Sequence, residues 1–179
     1  MASKRYVALL RGINVGGRNR IAMPDLRDVF ENEGYGEVST YIQSGNVLFS
    51  SDVRRSSLED DMEAILEQRL GVGVSVVVKS DVQMRNIVRK SPDGFGEQPD
   101  VYHSDVVFLK QPLTSDKALR VFDPREGVDQ VWPGTGVLYF ARLSERRSQS
   151  RLSKVASRPE YKLMTIRNWN TTTRLLELL

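Results

Sequence analysis

The chain has no cysteine and a single histidine, His103, in 179 residues. Without thiols there is no disulfide framework and no thiolate metal site, a composition that fits a reducing cytoplasm. One imidazole leaves no His/Cys cluster at metal-ligand spacing, so neither a metal nor a cofactor is implied. Long hydrophobic runs are missing too. The first apolar stretch, Tyr6-Val7-Ala8-Leu9-Leu10, is cut off by Arg11. It is too short for a signal-peptide core and far too short to span a bilayer, and no membrane partner is expected. Residues 1–20 also lack any acid.

What is present is ordinary in amount and uneven in placement. At 40% hydrophobic and 27% charged, the composition is that of a globular protein with a substantial core, built as one domain or two small ones. Residues 1–20 carry Lys4, Arg5, Arg11, Arg18 and Arg20, a net +5. Residues 141–179 carry nine Lys or Arg against Glu145, Glu160 and Glu177, a net +6, and residues 21–140 hold 12 basic and 20 acidic residues. If the basic ends meet, they form a patch that attracts phosphate-bearing ligands; otherwise they are a solubilising surface.

Residues 5–11 read as a strand. Pro24 marks a first helical position, followed by Leu26, Val29 and Phe30 at helical spacing and by Gly34 as a stop. Val38 to Gln43 and Asn46 to Ser50 form a hairpin around Ser44-Gly45. Ser56-Ser57-Leu58-Glu59 is a capping box, Leu58, Met62, Ile65, Leu66 and Leu70 give the next helix its stripe, and Val74 to Val78 is a β-branched strand. The order is βαββαβ, the ferredoxin-like plait. A second run follows: a helix from Ser80 carrying Val82, Met84, Ile87 and Val88; a loop from Ser91 to Asp100; and a strand from Asp105 to Lys110. Then come a short helix from Thr114 to Val121, a hairpin around Pro133-Gly134-Thr135, a helix near Ser150 to Ser157, and a closing helix from Trp169 to Leu179. The expectation is an α+β chain of two packed ferredoxin-like halves, near 1–90 and 91–179, the second incomplete. The first strand is apolar on both parities, so the halves should pack together rather than hang on a linker.

Three stretches depart from core grammar. Arg11-Gly12-Ile13-Asn14-Val15-Gly16-Gly17-Arg18-Asn19 is a near miss to the phosphate loop G-x-x-x-x-G-K-[ST], with Arg18 at the lysine position and Asn19 where a hydroxyl is needed. No helix starts at once, so the better reading is an anion nest of the Gly16 and Gly17 amides with Arg11 or Arg18, against a plain glycine connection. Gln43-Ser44-Gly45-Asn46 is either a hairpin turn or a set of amides and a hydroxyl that read a base edge or ribose. Arg167-Asn168-Trp169-Asn170-Thr171 opens the last helix, with Asn168 or Asn170 as N-cap and Arg167 a cation at the positive helix end, where an anion would relieve it.

Other constellations weigh less. His103 reads as structural or exposed, and Glu59, Asp60, Asp61, Glu63 and Glu67 as a solvated helix face. The third strand, Asn46 to Ser50, lacks the Lys/Arg-Gly-aromatic signature by which plaits of the RNA-recognition type stack bases.

Ala8 to Gly17, Tyr41 to Val47 and Thr165 to Thr171 together resemble the small bacterial proteins grouped as domain of unknown function 1697. The resemblance spans nearly the whole chain and implies two ferredoxin-like plaits packed together; it implies no activity and carries over no catalytic residue. Where that family has lysine after Gly-Gly, this chain has Arg18. The leading functional expectation is a cytoplasmic binding protein for a phosphate-bearing ligand, a nucleotide or a nucleic acid. Arg11, Arg18 and Arg167 would neutralise charge, Gly16 and Gly17 would approach the phosphate, and Asn14, Gln43, Ser44, Asn46, Asn168 and Asn170 would read polar groups. The alternatives are an enzyme acting on a phosphorylated small molecule, or a partner-binding or structural protein whose polar motifs lock the halves. The three motifs are expected to converge on one surface.

Overall fold

The computed structural model describes residues 4–52 and 55–179, with backbone alone at 55–57. The chain divides into two units, Met1–Met84 with Leu175–Leu179, and Arg85–Arg174.

The first unit runs β1 (Lys4–Leu10), α1 (Met23–Asn32), β2 (Gly36–Tyr41), β3 (Asn46–Ser51), α2 (Arg55–Leu70) and β4 (Val76–Ser80). Its antiparallel sheet has the order β2-β3-β1-β4, the split βαβ plait. Tyr6, Ala8 and Leu10 of β1 join Val47, Phe49, Val76 and Val78 in a core roofed by Leu26 and Phe30 of α1 and by Leu58, Met62 and Leu66 of α2. Tyr6 stacks on Phe49 with ring centres 5.5 Å apart, and Phe30 meets Phe49 edge-on at 5.7 Å. Val7, Leu9, Leu48 and Val77, on the opposite parity, are buried as well.

Helix α1 starts at Met23-Pro24 with no side-chain cap and stops at Gly34, whose φ of +86° suits glycine. The side chains of the capping box expected at Ser56-Ser57 lie outside the described residues. Glu59 instead accepts a hydrogen bond from the Val78 amide (2.8 Å), and Glu63 accepts one from Val76 (2.7 Å). The acidic face of α2 is therefore not merely solvated: two of its carboxylates bind the outward amides of an edge strand, which protects that edge from foreign pairing.

Helix α3 (Asp81–Arg89) opens on a capping box: the Ser80 amide donates to Gln83 Oε1 (3.0 Å) and the Gln83 amide to Ser80 Oγ (3.3 Å). Met84 and Ile87 are buried, but Val82, read as part of the apolar stripe, is 58% exposed.

The second unit continues with β5 (Tyr102–Leu109), α4 (Ser115–Leu119), β6 (Asp129–Gly134), β7 (Val137–Leu143), three 3-10 turns (Ser144–Gln149, Leu152–Ser157, Pro159–Leu163), β8 (Met164–Asn168) and the first turns of α5 (Trp169–Leu178), whose residues from Leu175 on count with the first unit. Its sheet order is β6-β7-β5-β8, the same plait again. The strand set is complete, and what is reduced is the helical layer: 3-10 turns stand where a helix near 150–157 is expected. The fourth strand, β8, comes from the third motif. The β6–β7 turn is tighter than expected, since Pro133 and Gly134 still pair with Leu138 and Val137 and only Thr135-Gly136 turn the chain. Proline fits there because β6 lies at the sheet edge. Val107, Leu109, Leu138, Phe140 and Met164 pack with Ala118 and Phe122 and with Leu152 and Val155 from the 3-10 segment. No helix among the described residues is long and apolar enough to cross a membrane.

Candidate functional site

In the first unit the first two motifs form one loop cluster at an end of the sheet. The Leu10 amide donates to the Gly45 carbonyl (2.8 Å) and the Arg11 amide to Ser75 (2.9 Å), so the chain leaves β1 already tied to its neighbours. Arg11 is half-buried at this base. Ile13 is buried against Gly45, where an added Cβ would lie 2.6 Å from Ile13 Cδ1 and 2.9 Å from Leu10 Cβ.

The amides of Asn14 and Asn46 serve the fold. Asn14 Nδ2 donates to the carbonyls of Ile21 (2.9 Å) and Gln43 (3.0 Å), and Asn14 Oδ1 accepts from the Ile21 amide (2.9 Å). One side chain thus closes its own loop and fastens it to the β2–β3 turn. Asn46, fully buried, donates from Nδ2 to Tyr41 O (2.9 Å) and to Ser44 Oγ (3.0 Å), closing that turn from within.

Beyond this clasp the loop ends in an exposed tip. Val15-Gly16-Gly17-Arg18 is a two-residue hairpin turn: the Arg18 amide donates to Val15 O (3.1 Å), and Gly16 (φ +59°) and Gly17 (φ +77°) are both left-handed. That is the type I′ pattern, which only glycine, Asn and Asp adopt readily. A nest needs residues of alternating hand, so the two amides do not form one; they stand side by side at the tip, with no partner among the described residues. Arg18 and Arg20 are exposed and make no ion pair among the described residues. Arg20 reaches the tip as well: a Cβ on Gly17 would sit 3.8 Å from Arg20 Nη2. On the neighbouring turn Ile42 has φ +51° and is 47% exposed, a strained position for a β-branched residue, and the Gln43 side chain is exposed beside it.

The third motif lies in the second unit. Arg167 is in β8, opposite Val106, and not at the helix start. It is 9% exposed; its Nη1 donates to Ile166 O (2.9 Å), and burial pulls its guanidinium down to about 10. Asn168 is the N-cap of α5, its Oδ1 accepting from the Thr171 amide (2.7 Å). The threonines that follow, poor helix formers by propensity, return hydrogen bonds to the previous turn: Thr172 Oγ1 to Asn168 O (3.0 Å) and Thr173 Oγ1 to Trp169 O (3.1 Å). Trp169 meets Phe95 edge-to-face, ring centres 5.1 Å apart, and a Cβ on Gly96 would run into its indole.

Asn168, Trp169 and Asn170 line a pocket of about 150 Å³ with Gly96, Pro99, Tyr102, His103 and Ser104. His103 Nε2 lies 3.2 Å from Asp105 Oδ1, and Arg142 Nη2 lies 3.6 Å from Asp105 Oδ2. Sequence reading missed two features. In sequence Arg20 is one cation among several in a basic segment, and the one signal for His103 and Asp105 as a pair is that they stand two apart on a strand and hence on one face.

Comparison with known proteins adds the following. A family model described as "Protein of unknown function (DUF1697)" matches residues 3–139. No curated protein matches the chain. Among solved structures, the conserved bacterial protein SP0830 from Streptococcus pneumoniae is 26% identical, superposes with a TM-score of 0.85, and is matched over 99% of each chain.

Proposed function

We propose that this chain, which belongs to the DUF1697 family of proteins of unknown function, binds a phosphate-bearing ligand, a nucleotide or a nucleic acid, in the cytoplasm. The observation that carries the reading is the exposed Gly16-Gly17 tip, whose two amides have no partner among the described residues, with exposed Arg18 next in the chain and Arg20 Nη2 within 3.8 Å of a Cβ built on Gly17. Amide donors and delocalised cations on a surface turn are the inventory that phosphate oxygens select. Glycine lets the backbone itself approach the ligand. Gln43, on the turn that Asn14 ties to this loop, supplies an amide for a second polar group. Residues 11–20 and 41–46 contain no carboxylate and no imidazole, so this cluster suits holding an anion and not turning it over.

Retention on an immobilised polyanion tests the reading. The double variant Arg18→Gln/Arg20→Gln should elute at distinctly lower salt than the parent, because each phosphate-bound cation adds to the salt dependence of binding. Identical elution salt for the two proteins would exclude the tip as the anion site.

A further inference from the structure

The tip makes no use of His103, although it is the single imidazole of the chain. In the second unit this histidine is held as a ligand-binding imidazole is held. Asp105, 7% exposed, sits between His103 Nε2 (3.2 Å) and Arg142 Nη2 (3.6 Å). With Asp105 on Nε2, Nδ1 is the ring nitrogen that the carboxylate does not engage. The Arg142 guanidinium on the far oxygen holds the carboxylate in place.

The rest of the pocket is equally constrained. Phe95 and Gly96 fix the Trp169 indole, and Tyr102 adds a second aromatic side chain. Asn168 has committed its Oδ1 to the Thr171 amide, which leaves its NH₂ as a donor, whereas exposed Asn170 offers both a donor and an acceptor. Ser104 lines the same pocket, its hydroxyl oxygen closed off from solvent.

From this arrangement we infer that the second unit carries its own binding site, independent of the tip, for a single planar heterocycle with hydrogen-bonding edges, the size and chemistry of a nucleobase. About 150 Å³ holds one ring, against the ~300–1,000 Å³ of drug-sized sites. Aromatic side chains beside amides that donate and accept are how proteins recognise an unstacked base. A sugar ring fits less well, because its hydroxyls need strong acceptors and no carboxylate lines the pocket: Asp105 is engaged by His103 and Arg142.

The test is a titration of the full chain with the four ribonucleosides and, separately, with glucose, read by NMR. His103 gives the one histidine signal, and the Trp169 indole N–H is a second reporter. At least one nucleoside should move both signals saturably, and Asn170→Ala and His103→Gln should each weaken that binding about tenfold or more. Arg18→Gln/Arg20→Gln should leave it unchanged, which separates this site from the phosphate reading. Silence of both reporters at millimolar concentration of all four nucleosides would overturn the proposal. So would a response to glucose alone, or one unaltered in both pocket variants.

Discussion

The two sheets share one strand order and differ in what lies on them. On β2-β3-β1-β4 sit α-helices of 10 and 16 residues; on β6-β7-β5-β8 sit one of 5 residues and a run of three 3-10 turns. Strand pairing therefore defines the plait, and the layer above it is replaceable wherever side chains hold its backbone. In the first unit apolar helix faces do most of this, with Glu59 and Glu63 fastening α2 to the edge strand. In the second unit the 3-10 segment buries only Leu152 and Val155, and Asp129 takes over: its Oδ2 accepts from the amides of Arg125 (3.0 Å) and Arg151 (2.9 Å). The loops contrast in the same way. Asn14 and Asn46 tie backbone to backbone beneath an exposed tip, while Asn168 caps a helix beside a small open pocket.

The most severe way to disturb either half is to fill its glycine contact. Gly45→Ala combines a left-handed residue with a collision against Ile13 and Leu10, and should cost about 2–5 kcal/mol in urea unfolding. Gly96→Ala, with φ +79° and the Trp169 indole in the way, should cost a similar amount. A loss below about 1 kcal/mol at either site would show that the contact is slack. Next comes the difference between the roofs. Asp129→Ala removes a charged acceptor from two amides and should cost about 2–3 kcal/mol, whereas Glu59→Ala, half-buried on a helix that also packs by apolar contact, should cost about 1 kcal/mol. Equal losses would erase the contrast.

Tyr139 carries a pH-dependent term within the second unit. Its hydroxyl donates to Ile87 O (2.7 Å), and burial pushes the phenol up to about 12 from an ordinary value of 10.0. An acid whose pKa is raised by folding stabilises the fold below its unfolded value and loses that contribution as pH rises through the folded one. Tyr139→Phe should thus be about 1–2 kcal/mol less stable at neutral pH, and the gap should close between pH 10 and 12. A gap that stays constant across that window would rule out the buried phenol as its source. The smallest effect concerns Ile42, where the sign is reversed. Asparagine tolerates φ > 0 better than a β-branched residue, so Ile42→Asn should stabilise the first unit by up to about 1 kcal/mol.

Much of the plait was legible because its signals are local. Pro24 and Gly34 bracket α1, Ser44-Gly45 turns the first hairpin, and the double-sided apolar parity of Tyr6–Leu10 foretells a strand buried on both faces. β8 was not legible: five residues with a buried arginine in fourth place, running straight into a helix, carry no strand pattern of their own, and pairing with β5 decides them. The 3-10 turns escaped for the opposite reason, since two buried residues three apart look like the start of a helix whether or not one forms. The Gly16-Gly17 tip could be read as donors without partners, but the roles of Asn14 and Asn46 as a clasp depend on backbone carbonyls that only the fold brings within reach.

Whether the tip is an anion site is decided most directly at its own amides. In a nitrogen-15-labelled sample titrated with a short oligonucleotide at low salt, the account predicts that the Gly16 and Gly17 N–H signals shift first and saturate, and that Arg18→Gln/Arg20→Gln abolishes the shift. Gly16 and Gly17 signals that stay fixed while the oligonucleotide binds elsewhere, or that move identically in the double variant, would contradict it.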